Sequence, residues 1–255
     1  MRLLILGGHR TGLLAAARAR GLFLIVADRD ASAPGFGLAD RRAILPTDDE
    51  PALERLAEAE HIDGVVGFGP AVAAAARIAH RFGLPHAISP ETAVLATSRL
   101  RQLERLREAR VPQARWAVVS GVGVEPGFPC VLRPPDRKGH RLAEEAPGAA
   151  EVTVTAFLVD GAFQPLLGAG APALVAERAA AALGIEHGLV SARLRLGVDG
   201  PRVVELRTDP GDREAELCRL LRGVDVHALA LDAALGRESA AEYVRFGSAD
   251  AQALA

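Results

Sequence analysis

Lysine is nearly missing from this chain of 255 residues: Lys138 is the only one, and arginine carries the rest of the positive side-chain charge. Cysteine, methionine, tryptophan and tyrosine are scarce as well, with two, one, one and one copies. Cys130 and Cys218 lie far apart and in no metal or redox motif, which excludes a disulfide framework and fits a reducing cytoplasm. No apolar run approaches the ~20 residues of a membrane span, and the run in "MRLLILGG" is too short for a signal segment. A formal net charge of −2 gives no electrostatic case for nucleic acid or an anionic membrane. The seven histidines are scattered, without HExxH or paired Cys/His spacing, so no zinc site is expected. Ser98 and Ser191 lack a nucleophile elbow. What remains is an expected cytoplasmic protein, long enough for two compact domains or one large one.

The first third of the chain alternates short apolar runs with helical patterns. "RLLIL" (2–6), "LFLIVA" (22–27), "RAIL" (42–45) and "GVVGF" (64–68) are bounded by glycine, proline or aspartate. Between them stand stretches such as "EPALERLAEAE" and "PAVAAAARIAHRF", whose apolar residues recur at helical spacing. Strands apolar on both faces and separated by helices predict a parallel sheet covered on both sides. One long helix is expected over 89–112, with Ser89 as N-cap and Pro90 in its first turn. After Pro112 the pattern changes to strand-like runs joined by glycine turns, with Asp-Gly in "VDGA" (159–162) and "VDGP" (198–201) as hairpin signals. The expected organisation is a parallel α/β domain over 1–88, a linker helix over 89–112, and a mainly antiparallel α+β domain over 113–255.

"ILGGHRTG" (5–12) places Gly7, Gly8 and Gly12 between a strand and a helix, a layout that aims backbone amides and a helix N-terminus at an anion. His9 stands where a dinucleotide fingerprint wants its middle glycine, which disfavours nicotinamide-dinucleotide binding. Asp28 ends the second strand about where a ribose-binding acid belongs. Two readings stay open: a tight turn with no ligand, or an anion site in which Gly7, Gly8, His9, Arg10 and Asp28 meet a small carboxylate or phosphate.

Residues 5–70 followed by "GLPHAISPETAVLATSRLRQLERLREARVP" resemble the N-terminal and linker regions of ATP-grasp ligases, among them biotin carboxylase, carbamoyl phosphate synthetase and amino-acid ligase relatives. "FPCVLRP" resembles the family's strand with a basic phosphate-binding residue, "EEAPGAAEVTVTAFLVDG" its hinge and ribose segment, and "LVSARLRLGVDGPRVVELRTDPG" its magnesium strands. The resemblance implies a Rossmann-like N-terminal domain followed by an ATP-grasp-like domain. It also implies nucleotide contacts from Arg99 and Arg133 to phosphate, from Glu144 and Glu145 beside adenine, and from Glu151 to ribose. Arginine suits the phosphate role because its planar fork holds phosphate bidentately.

The departures from that family are as informative as the matches. Only "PPDRKGHRLA", with the single glycine Gly139, stands where the family has a glycine-rich phosphate loop, a helix and a further strand. A second contraction follows "VDGAF". Of the expected magnesium ligands, Glu205 is kept, but Arg193 and Arg207 replace the other two, and Asp209 replaces a family arginine. Magnesium requires hard oxygen ligands, and guanidinium groups at these positions repel a divalent cation. Arg193 and Arg207 are expected to pair with Glu205 and Asp209 across neighbouring strands. The sequence therefore predicts a contracted, degenerate ATP-grasp-like protein without ligase turnover, for which ATP and magnesium are optional and weak. Its expected partner is a small anionic metabolite, a nucleotide, another protein or a second copy of itself. The competing readings are a working minimal carboxylate–amine ligase that proceeds through an acyl phosphate and, less favoured, a nicotinamide-dinucleotide-binding protein.

Overall fold

The computed structural model describes residues 1–120, 127–133, 140–146, 150–209 and 211–237. Strands β1 (Arg2–Leu6), β2 (Phe23–Asp28), β3 (Arg41–Ile44) and β4 (Gly64–Gly67) form a parallel sheet in the order β3-β2-β1-β4. Helices α1 (Thr11–Ala19), α2 (Glu50–Glu60) and α3 (Ala71–Phe82) lie in the connections and cover it. Strand side chains alternate between faces, and both faces here are apolar. Leu3, Ile5, Leu24 and Val26 pack with Leu13 and Leu14 of α1, while Leu4, Leu6, Ile25 and Val65 pack with Leu53 of α2 and Ile78 of α3. β3 is the exception, an edge strand whose Ile44 is exposed. Asp49 caps α2 through the amide of Ala52 at 3.2 Å, and Gly83 closes α3 in the left-handed region, φ 64°.

The linker is two helices, α4 (Pro90–Thr97) and α5 (Arg99–Glu108), where the sequence predicts one. Ser89 caps α4 as expected, accepting from the amide of Thr92 at 3.1 Å. The chain then breaks at Ser98, whose backbone is extended (φ −87°, ψ 110°). Gln102 accounts for the break. Its side-chain amide donates to the carbonyl of Ala96 at 3.2 Å, at the end of α4. The same side chain pairs with the backbone N–H and C=O of Leu206, at 3.1 and 2.8 Å. This buried glutamine fastens the start of α5 to a strand more than a hundred residues away, and so aims Arg99 into the cleft described below.

Strands β5 (Trp116–Ser120), β6 (Cys130–Arg133) and β7 (His140–Glu145) form a three-stranded antiparallel sheet, order β5-β7-β6. A second antiparallel sheet holds β8 (Glu151–Val159), β9 (Ala162–Leu167), β10 (Gly188–Gly197) and β11 (Gly200–Arg207), in the order β11-β10-β8-β9. Asp160 and Gly161 turn β8 into β9 with φ of 50° and 77°, the left-handed pair that a two-residue hairpin requires. The second hairpin turns at Val198–Asp199, and its positive φ, 106°, falls on Gly200.

One face of this four-stranded sheet is apolar. Val154, Val190, Ala192 and Leu206 pack there against Val175, Ala176 and Ala179 of α6 (Ala171–Ala182). By register, Thr153, Thr155, Ser191, Arg193, Glu205 and Arg207 share the opposite face. Farther along, that face is closed by α7 (Asp212–Arg222) and α8 (Val226–Ala234) over Phe157 and Leu189. α8 belongs to two cores at once: Val226 and Leu229 serve this one, and Leu231 and Ala234 join Leu3, Leu13 and Leu14 beside the parallel sheet. Among the described residues no helix is long and apolar enough to cross a membrane.

Candidate functional site

The residues expected to hold a nucleotide converge in the cleft between the two antiparallel sheets, where they hold one another. Arg99, at the first turn of α5, donates to Glu144 Oε1 at 2.5 Å and to the carbonyl of Val204. Arg133, at the end of β6, donates to the other oxygen of Glu144. Glu144 is only 7% exposed, so a buried carboxylate has both oxygens occupied by the two expected phosphate-binding cations. Burial pushes the Arg99 guanidinium below its usual pKa, and the charge of Glu144 opposes that shift. Glu145 is held by Arg115 at 2.9 Å and by Arg195 at 3.6 Å. Burial alone would raise its carboxyl, but hydrogen bonds from Arg115 and the two nearby guanidiniums carry it below the ordinary glutamate value. Glu151 takes Arg195 at 3.1 Å and Arg193 at 3.4 Å. The space left among these side chains is a cavity of about 60 Å³, against the ~300–1,000 Å³ of small-molecule sites. Residues 134–139, where the shortened phosphate loop is expected, lie outside the described residues.

Next along β11 lies a polar cavity of about 260 Å³, lined by Thr153, Ser191, Arg193, Glu205, Arg207 and Glu214. Arg193 reaches Glu205 at 3.1 Å, as expected. The other expected pair differs. Asp209 binds Arg10 at 2.7 Å, and Arg207 has no ion pair within 4 Å among the described residues. The sheet itself explains the difference, since Asp209 lies beyond the end of β11 and meets the N-terminal half. Burial raises the Asp209 carboxyl above its usual pKa, against the opposing charges of Arg10 and Arg207. Magnesium does not fit here. Glu205 already has a guanidinium at 3.1 Å, and no group of three or more His, Cys, Asp or Glu suited to a metal occurs among the described residues.

The glycine loop stands at the switch point of the parallel sheet, between the ends of β1 and β4, where open sheets of this type bind ligands. Gly7 takes φ 107° and its amide bonds the carbonyl of Ala27 at 2.9 Å. Asp28 fills the loop itself, accepting from the amide of Gly8 at 2.6 Å. His9 is 61% exposed, with Nε2 3.5 Å from Asp30 and 4.0 Å from Asp28. Arg10 reaches away from the loop to Asp209 and, at 3.5 Å, to Asp212. Beside it a mostly apolar cavity of about 80 Å³ opens between the strand ends, α8 and the start of β10, with His86, His187 and His227 on its wall. Burial lowers the pKa of His86 and of His227, the first opposed by the Ile88 carbonyl and the second by Asp225 and Asp212. Gly12 lets the His227 ring approach α1 closely: a Cβ there would lie 2.6 Å from His227 Nε2 and would require that ring to shift.

The structure thus gathers Arg99, Arg133, Glu144, Glu145, Glu151 and Arg193 into one cleft, with Glu205 in the adjoining polar cavity. It leaves Gly7, Gly8, His9 and Asp28 at a separate strand-end crevice, and turns Arg10 from that loop to Asp209. Gln102, Arg115, Arg195 and Glu214 belong to the cleft and its extension without having been singled out in the sequence. For Arg195 there was a signal: in "SARLRLG" it shares the two-residue alternation of Ser191 and Arg193, and hence their face.

No protein-family model matches the chain, and no curated protein matches it. Solved structures do. An L-amino acid ligase from Bacillus licheniformis superposes with TM-score 0.80 at 19% identity, over 95% of this chain and 76% of its own. Phosphoribosylglycinamide synthetase from Anaerococcus prevotii gives TM-score 0.74 at 18% identity, over 92% and 75% of the two chains. N5-carboxyaminoimidazole synthetase from Staphylococcus aureus, complexed with ADP, gives 0.70 at 15%, over 93% and 77%. The chain has an ATP-grasp-like fold, with a parallel α/β half and contracted antiparallel sheets.

Proposed function

We propose that this chain is an ATP-grasp-like small-molecule-binding protein of the cytoplasm that does not transfer the γ-phosphate of ATP. The observation that carries the reading is the double ion pair on Glu144. Arg99 and Arg133, the two cations placed to hold phosphates, neutralise a buried carboxylate instead. A nucleotide has to displace Glu144 before it meets Arg99, whose guanidinium nitrogens are all engaged. Breaking a buried charged pair costs several kcal/mol, ~3–5 where one partner is removed outright. Arg133 is half exposed and, among the described residues, held only through Nε. Arg193 repeats the arrangement at the metal position, lying across Glu151 and Glu205. Catalysis of phosphoryl transfer rests on positioning and charge stabilisation by metal and backbone donors, and the side chains at this strand end are not a magnesium set. Nucleotide binding, where it occurs, is weak and passes through Arg99 and Arg133. A protein partner or a second copy of the chain remains within this proposal.

The experiment is ADP and phosphate release from ATP with magnesium or manganese, across a panel of carboxylates and amines, beside calorimetric titration of ATP. The expected result is no carboxylate-stimulated release and ATP binding weaker than about 1 mM, at most ~4 kcal/mol. Turnover stimulated by one carboxylate and lost in Arg133→Ala overturns the reading in favour of a minimal ATP-dependent carboxylate–amine ligase. One observation favours that second reading: the ion-pair cleft, the polar cavity and the apolar crevice follow one another along β11 and just past its end, at Val204, at Glu205 and Arg207, and at Thr208 and Asp209.

A further inference from the structure

We propose that the polar cavity beside the end of β11 binds the zwitterionic head group of a free α-amino acid. The proposal deepens the reading above and rests on it in one respect, that guanidinium groups rather than magnesium stand at this strand end.

The argument begins with charge. The cavity wall carries two arginines, Arg193 and Arg207, and two glutamates, Glu205 and Glu214. Arg193 is committed to Glu205 and Glu151. Arg207 and Glu214 have no ion pair within 4 Å among the described residues, and so do not meet each other at that distance. They are nonetheless close neighbours across Gly211. A Cβ on that glycine would collide with Glu214 Oε2 and lie 3.5 Å from Arg207 Nη2. Opposite charges held a few ångström apart attract without touching, so each keeps hydrogen-bonding atoms that no described residue uses.

A purely anionic ligand beside Arg207 also faces Glu214, and a purely cationic one beside Glu214 also faces Arg207. A head group with a carboxylate next to an ammonium satisfies both at once: the carboxylate accepts from Arg207, and the ammonium donates to Glu214. The remaining wall suits the carboxylate. Thr153 and Ser191 contribute hydroxyls to the cavity. The volume, about 260 Å³, falls just short of the ~300–1,000 Å³ of drug-sized sites. It therefore suits a head group with a short or medium side chain and excludes a nucleotide.

The test uses the whole chain without nucleotide or metal. Each of the common amino acids is titrated by calorimetry and scored by thermal shift, alongside acetate, methylamine and inorganic phosphate. At least one amino acid is expected to bind with Kd below about 1 mM. Its amide and its N-acetyl derivative are expected to bind at least ~10-fold more weakly, because each leaves one buried charge unmatched. Arg207→Met and Glu214→Gln should each reproduce that loss, with Arg219→Gln, on the exposed side of α7, as the unaffected control. If either cavity variant fails to fold, the amide and N-acetyl arms decide the matter alone. The proposal is overturned if no amino acid binds, or if acetate or phosphate binds as well as the amino acid and Glu214→Gln tightens it, the signature of a plain anion site. Magnesium-dependent ATP turnover would remove the proposed function while leaving these nucleotide-free titrations to stand or fall by themselves.

Discussion

The two sheets that meet at α8 solve opposite problems. The parallel sheet of β1–β4 buries hydrocarbon on both faces, and its order follows from a sequence that alternates apolar runs with helices. The β8–β11 sheet buries hydrocarbon along one face and only at one end of the other, under α7 and α8. On the other it sets arginine against glutamate across neighbouring strands, at Arg193 with Glu205 and at Arg195 with Glu151. The first arrangement gains stability roughly in proportion to buried area, ~25 cal/mol per Å². The second gains little net stability, because desolvation offsets much of the attraction. A charged face that contributes little to stability and leaves Arg207 without an ion pair among the described residues is the surface on which to look for ligand chemistry.

The largest expected effects come from the apolar side of this contrast. Ile5→Ala in β1 or Phe157→Ala in β8 should each cost ~2–5 kcal/mol in urea unfolding, the range for deleting a fully buried large side chain. Arg193→Met, partly exposed and on the charged face, should cost less than ~1 kcal/mol. Equal costs for Ile5→Ala and Arg193→Met would erase the distinction.

Glu144→Gln probes the charged face where it is most buried. It leaves Arg99 without its carboxylate partner and should cost ~2–3 kcal/mol, at the low end for a broken buried pair because Arg133 is half exposed. Inorganic triphosphate should then raise the variant's Tm more than that of the unaltered chain. A smaller rise in the variant would show that Glu144 does not compete for those arginines.

A pH series sharpens the contrast at the crevice between the halves. The folded pKa values of His86 and His227 are lowered by burial, while an unfolded imidazole titrates near ~6.5. The unfolded chain therefore binds more protons below that pH. The stability these two groups supply is complete above about 6.5 and is lost as pH falls through the folded values. Tm should drop between about pH 6.5 and 5, and His86→Gln/His227→Gln should flatten the slope; an unchanged slope removes the assignment. The smallest effect is on thiols. Burial first, then Glu214, pushes Cys218 up to about 11, so it should resist alkylation in the native state, whereas the partly exposed Cys130 reacts. Mass spectrometry after brief iodoacetamide treatment separates the two sites.

These regions also differ in how far they could be read in advance. β1, β2 and β4 follow from runs apolar on both faces, and the Asp160–Gly161 turn follows from the φ > 0 that those residues tolerate. The Ser98 break was not legible, because its cause is a side chain, Gln102, bonded to Leu206 across the fold. The partner of Asp209 was missed for a similar reason: Arg10 lies 199 residues away, and local spacing pointed to Arg207. The resemblance located the cleft residues by family position, whereas their pairing with one another depended on which side chains the folded sheets bring within reach.

Helix α8 has a consequence in time as well as in space. Leu231 and Ala234 complete a core whose other walls are Leu3, Leu13 and Leu14, more than two hundred residues earlier, and Arg20 is tied to Asp232 at 2.7 Å. As the chain leaves the ribosome, the first sheet is made early, but the side that α1 covers stays incompletely closed until α8 emerges. Translation proceeds at ~5–20 residues per second, so the wait is on the order of ten seconds or longer. Closure over so long a loop also places the docking of α8 late in refolding from denaturant. During that interval the nascent N-terminal half presents a leucine-lined face of the kind chaperones engage.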